Sequence, residues 1–150
     1  MKVLIVYDSS HGNTEAIAKS ICSGMKEVGN HQVTAKKGNT VTPEEMREAE
    51  VWILGSPTHM GGPTRKFKKL LKWVGKEVAP ASKGMAFDTR MPSEGKGASS
   101  RIHQVMKGAG VEMLGDPEGF QVEGRKGPLA QGEERRAVTL GRKLAALIRS

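Results

Sequence analysis

The segment Ser9-Ser10-His11-Gly12-Asn13-Thr14 gathers hydroxyl, imidazole and amide groups directly after the apolar run Val3-Leu4-Ile5-Val6-Tyr7. Ser9, Ser10 and Thr14 can donate hydroxyl hydrogen bonds, and Gly12 lets the backbone come close to a ligand. Backbone N–H groups from His11 to Thr14 can form a nest at the positive dipole end of a following helix, which is phosphate-binding chemistry. The competing reading is a plain strand-to-helix turn, for which Ser, Gly and Asn are ordinary residues. His11 can donate from its ring or serve only to shape the loop. Two further loops carry similar residue types after apolar runs. One is Gly55-Ser56-Pro57-Thr58-His59-Met60-Gly61-Gly62-Pro63 after Val51-Trp52-Ile53-Leu54; the other opens with Asp88, Thr89 and Arg90 after Met85-Ala86-Phe87 and reaches Ser99.

Positioning three such loops together requires a parallel sheet. The apolar pattern alternates strand and helix along the chain, which predicts an α/β fold with a mostly parallel sheet. Strands are expected at 2–7, 31–36, 50–55 and 83–88. A fifth starts at Val111, and Gly115-Asp116-Pro117-Glu118-Gly119 interrupts it, as a bulge or a small hairpin, before Phe120-Gln121-Val122. The first helix opens at Asn13 or Thr14, buries Ile17, Ile21, Met25 and Val28, and ends near Gly29-Asn30. Thr42-Pro43-Glu44-Glu45 reads as the capped start of a short second helix. Phe67, Leu70, Leu71 and Val74 give a third from Pro63-Thr64, with Gly75 as its stop. Ile102, Val105, Met106 and Ala109 define a fourth from Ser99 or Ser100. Residues 123–132 form a Gly-rich loop, and Ala137, Leu140, Leu144, Leu147 and Ile148 are the inward side of a fifth helix. At 150 residues, without repeat or linker, the chain is expected to be one domain, 1–150.

The first loop resembles that of the flavodoxin family, Thr/Ser-x-Thr-Gly-x-Thr, with His11 where a hydroxyl residue is usual. Ser56-Pro57-Thr58 to Gly62 is similar to the family's flavin-flanking loop, and the order of elements fits over essentially the whole chain. The resemblance implies a three-layer, doubly wound sandwich with a five-stranded parallel sheet in the order 2-1-3-4-5. It also implies non-covalent FMN, which in flavodoxin sits at the switch point between strands 1 and 3. The implied cofactor-binding residues are Ser9, Ser10, His11, Gly12, Asn13 and Thr14 for the phosphate; Pro57, Thr58, His59, Met60, Gly61 and Gly62 on one side of the ring; and Asp88, Thr89 and Arg90 on the other. Neither ring-flanking loop contains an aromatic residue, so Pro57, His59, Met60, Thr89, Arg90 and Met91 would supply thioether, imidazole and guanidinium contacts instead. The glycines at 61 and 62 would allow a peptide beside the flavin to flip.

No side chain reads as a catalytic acid, base or nucleophile, and the implied role is electron transfer between redox partners. The alternatives are an FMN-dependent NAD(P)H or quinone oxidoreductase and a flavin-free binding module. There is no Gly-x-Ser-x-Gly elbow, Walker A motif or Cys-x5-Arg loop, and His31, His59 and His103 have no metal-ligand spacing. Asp8 could suit a receiver-type acidic site, but its Ser- and Thr-rich neighbours fit phosphate better than magnesium. A single cysteine, Cys22, lies on an apolar helical face as a buried thiol. The 24 Lys and Arg against 16 Asp and Glu give a net charge of +8. That charge favours acidic proteins, anionic small molecules, nucleic acid or anionic membrane, or serves solubility alone. The basic run Arg65, Lys66, Lys68, Lys69, Lys72 and Lys76 is either a solvated face or a docking face for redox partners acidic at the contact. Without interleaved aromatics this run argues against single-stranded nucleic acid. The apolar stretch after Met1-Lys2 is too short for a signal segment and no run spans a membrane, so a cytoplasmic protein is expected.

Overall fold

The computed structural model describes residues 1–74, 76–78 and 80–148. Six strands form one sheet: β1 (Lys2–Tyr7), β2 (Gln32–Lys37), β3 (Val51–Pro57), β4 (Lys83–Arg90), β5 (Glu112–Met113) and β6 (Glu118–Gln121). The spatial order is β2-β1-β3-β4-β5, with β6 also on β4, and every pairing is parallel. The interrupted fifth strand is therefore one edge strand in two parts. β5 meets Lys83 and Gly84, β6 meets Phe87 to Arg90, and residues between them leave the ladder. A hairpin would have required antiparallel pairing.

Alternation along β1 sets the layers, since successive side chains leave a strand on opposite faces. Val3, Ile5 and Tyr7 join the cluster under α1 (Asn13–Lys26) and α5 (Glu133–Leu147). Leu4 and Val6 join the cluster under α2 (Pro43–Glu48), α3 (Arg65–Leu71) and α4 (Ala98–Gly108). Trp52 is fully buried in that second layer and donates its indole N–H to the Met46 carbonyl at 2.9 Å, so its polar group is satisfied inside the core. The capping box of Thr42 and Glu45 fixes the start of α2.

α1 and α5 cross at backbone contact. A Cβ on Gly24 would overlap the Val138 carbonyl, and one on Gly141 would overlap the Ile21 carbonyl. Both obstacles are main chain and cannot rotate away. Although alanine favours helix over glycine by about 1 kcal/mol, we expect Gly141→Ala to be net destabilising, because overpacking costs about 1 to 3 kcal/mol. Urea unfolding checks this, and a raised midpoint would contradict the close crossing.

Three expectations are corrected. α3 ends at Leu71, and Val74 instead makes an isolated parallel bridge with Val78, so Lys72 caps the helix and Lys76 lies beyond it. The expected stop at Gly75 lies outside the described residues. Leu147, assigned inward by periodicity, is 47% exposed, because the apolar stripe of α5 finishes on Leu144, Ala145 and Ile148. β3 and β4 each run two residues past their expected ends, held by the pairs Ser56↔Asp88 and Pro57↔Thr89. Among the described residues no helix is long and apolar enough to cross a membrane.

Candidate functional site

The carboxyl ends of β1, β3 and β4 open on one edge of the sheet, where α1 and α3 depart on opposite faces. Between the loops lies a cavity of about 610 Å³, within the range of roughly 300 to 1,000 Å³ usual for small-molecule sites.

At the first loop Gly12 takes a left-handed conformation, φ 88°, and caps α1. The Ser9 hydroxyl oxygen accepts the Gly12 N–H at 3.1 Å and the Glu15 N–H at 3.4 Å. The N–H groups of Ser10, His11, Asn13 and Thr14 have no acceptor among the described residues, and all four residues line the cavity. A cluster of free N–H groups at a helix N-terminus suits an anion. Glu15, an acid in the first turn of α1, accepts the Tyr7 hydroxyl at 2.8 Å. Burial, reinforced by this carboxylate, pushes the Tyr7 phenol up to about 12.

In the second loop His59 and Gly62 exchange backbone hydrogen bonds at 2.8 and 3.1 Å around Met60 and Gly61. Both central residues have positive φ, 51° and 79°, as a type I′ turn requires. Met60 is the only non-glycine with positive φ among the described residues, and its side chain is fully exposed on the cavity rim.

The three loops are bonded to one another. Thr14 and Thr89 share a buried hydroxyl hydrogen bond at 2.8 Å, and the Thr58 N–H donates to the Thr89 carbonyl at 2.9 Å. The Thr58 hydroxyl oxygen accepts the Ala98 N–H at 3.0 Å, and Asp88 accepts the Ser99 N–H at 2.8 Å. Thus two residues from the strand ends cap α4, whose own N-cap, Gly97, has no side chain. Asp88 also lies 3.0 Å from Arg90 in an ion pair. Burial pushes the Asp88 carboxyl above its ordinary value, opposed by its contact with Ser99 and by the Arg90 charge.

Of the residues expected from sequence, Ser10, His11, Asn13, Thr14, Pro57, Thr58, His59, Met60, Thr89 and Arg90 line the cavity. Ser9, Gly12, Gly61, Gly62 and Asp88 are not among its lining residues. Val122 and Arg125 also line it and were not foreseen as site residues. The one available signal was Arg125 itself, a cation inside a Gly-rich loop. Arg65 and Lys66 open α3 directly after the second loop and are not among the residues that line this cavity. Among the described residues no group of three or more His, Cys, Asp or Glu could hold a metal ion.

The cavity lies at the β1–β3 switch point of a doubly wound sheet, the place where open α/β sheets bind ligands. The pattern of the family described as Flavodoxin matches residues 5–139, and the chain belongs to the flavodoxin family, whose members bind flavin. The chain is 33% identical over 89 residues to a flavodoxin of Clostridium saccharobutylicum, an alignment covering 59% of this chain and 56% of that one. The chain thus spans about half the length of that relative. It is 27% identical to NAD(P)H dehydrogenase (quinone) 3 of Rhizobium meliloti (strain 1021), over 93% of this chain and 77% of the relative. A flavodoxin from the domain Archaea superposes with a TM-score of 0.83 at 23% identity, covering all of both chains, a likeness of fold.

Proposed function

We propose that the chain binds FMN at this sheet edge and carries electrons between redox partner proteins. The observation that supports it most is the set of four unpartnered N–H groups, of Ser10, His11, Asn13 and Thr14, beside a cavity flanked by two further loops. These groups and the Ser10 and Thr14 hydroxyls would hold the phosphate. Ser9 and Gly12 would fix the loop's shape. Pro57 to Gly62 and Asp88 to Arg90 would flank the ring, with Met60 covering it and Asp88 setting the position of Arg90. Bound there, FMN supplies reversible one- and two-electron chemistry, and the residues orient it and tune its charge environment. The absorption spectrum of the purified protein tests this reading. Flavin bands that remain through gel filtration are expected, and a colourless protein that takes up no added FMN would overturn it.

The Rhizobium relative favours one second reading, an FMN-dependent NAD(P)H or quinone oxidoreductase. Oxidation of NAD(P)H by a quinone, with this protein as the sole catalyst, separates the enzyme from the carrier.

For the carrier, the basic segment beside the second loop is the docking face, and the partner is acidic at the contact. Lys68 and Lys72 are exposed on or just past α3. Reversal of both charges should slow association and flatten its salt dependence, since exposed charges act mainly on the encounter rate. Stopped-flow electron transfer at low salt checks this, and unchanged rates would remove the surface from consideration.

A further inference from the structure

On the other side of the first loop lies a second cavity, of about 340 Å³, between the connection after β2 and α3. Its floor is apolar, formed by Val41, Phe67, Leu70 and Trp73. Three exposed lysines, Lys37, Lys66 and Lys69, stand on its wall, and none pairs with an acid among the described residues. The one acid on the wall is Asp8. Its carboxylate is already engaged, accepting the Ser9 N–H at 2.9 Å and the hydroxyl of Thr64 at the start of α3.

We propose that this cavity is a binding site for a small amphipathic anion, an aromatic or aliphatic carboxylate. Its apolar body would cover Phe67, Leu70 and Trp73, and its carboxylate would meet the lysine ammonium groups. Apolar contact supplies affinity through area removed from water, and charge-assisted hydrogen bonds supply the preference for an anion. The dimensions favour a free small molecule over a protein segment. The volume falls within the small-molecule range, whereas a stable protein interface needs about 800 Å² from each partner. The site is distinct from the cavity at the switch point, since Ser9 lines one and Ser10 the other. Occupancy is therefore independent of the flavin reading.

The test is a titration with 2-naphthoate, followed by backbone amide chemical shifts, with and without FMN. Saturable shifts are expected at Gly38, Asn39 and Val41 and from Phe67 to Trp73. Neutral 2-naphthalenemethanol should bind roughly tenfold more weakly, the scale of one charge-assisted contact. Lys66→Gln with Lys69→Gln, which leaves Lys37 on the wall, should weaken naphthoate most of the way to the affinity of the neutral analogue and leave the latter unchanged. Four results would overturn the proposal. They are shifts confined to Ser10–Thr14, Thr58–Gly62 and Asp88–Arg90, equal binding of the neutral analogue, indifference to the double substitution, and shifts produced by an acidic peptide but not by naphthoate.

Discussion

Thr14→Val should weaken FMN binding by about 1 to 3 kcal/mol, roughly 5- to 150-fold in Kd, while riboflavin affinity changes much less. Thr14 is 1% exposed, and its hydroxyl lies 2.8 Å from that of Thr89. A hydroxyl has a single proton to give. If Thr14 donates to a phosphate, it accepts from Thr89, and the pair relays the third loop onto the first. Valine removes both roles at nearly constant volume and leaves the Thr89 hydroxyl buried without its partner. Part of the loss is then a loosening of loops, which would fall on FMN and riboflavin alike; the part specific to FMN measures the phosphate contact. Titration of both ligands against both proteins, by quenching of flavin fluorescence, separates the two. Thr89→Val is the control: it breaks the same hydrogen bond but leaves Thr14 free to donate, so it should cost FMN less. Equal losses for FMN and riboflavin in Thr14→Val would show that the first loop does not hold the phosphate.

That relay also explains what could be read from the chain and what could not. The first loop was legible because its donors, its glycine and the helix they cap are contiguous. The parallel α/β class followed from the alternation of elements, and the strand order from the resemblance. The direction of Thr89 was not legible. On β4, Ala86 belongs to the α4 side and Phe87 to the α1 side. Because β4 continues to Arg90, the same period of two sends Asp88 toward Ser99 and Thr89 toward Thr14. A strand ended at 88, as the apolar run suggested, hides that consequence. Val122 and Arg125 reach the cavity only because β6 pairs with Phe87 to Arg90, a long-range register that local sequence does not encode. Likewise, Val74 keeps helical spacing with Leu70 and Leu71, yet its burial is met by a bridge to Val78.

The arrangement of charge around the cavity leads to the second large effect, on the reduction potential of a flavin bound there. The cations on its wall are Arg90 and Arg125; the acid there is Glu94, and Asp88 pairs with Arg90. Arg90 is held 3.0 Å from Asp88, so that pair is nearly neutral at a distance. Arg125 makes no ion pair among the described residues. The local sum is thus near zero, not the negative surroundings of an acidic flavodoxin. Adding an electron to form a flavin anion is therefore penalised less, and the more negative of the two one-electron couples should lie higher than in an acidic flavodoxin. The gap between the two couples should shrink accordingly. A unit charge about 10 Å away at an effective dielectric near 20 contributes about 1.7 kcal/mol. For one electron this is about 70 mV, since 59 mV corresponds to about 1.4 kcal/mol. Arg125 is exposed, and salt near 0.15 M should cut the effect to a few tens of millivolts. Arg125→Gln should lower the more negative couple by that amount, with the larger shift at low ionic strength. Redox titration followed by absorbance at two salt concentrations measures it. A very low second couple in the unsubstituted protein, or an Arg125→Gln shift that salt does not change, would sink the argument from charge.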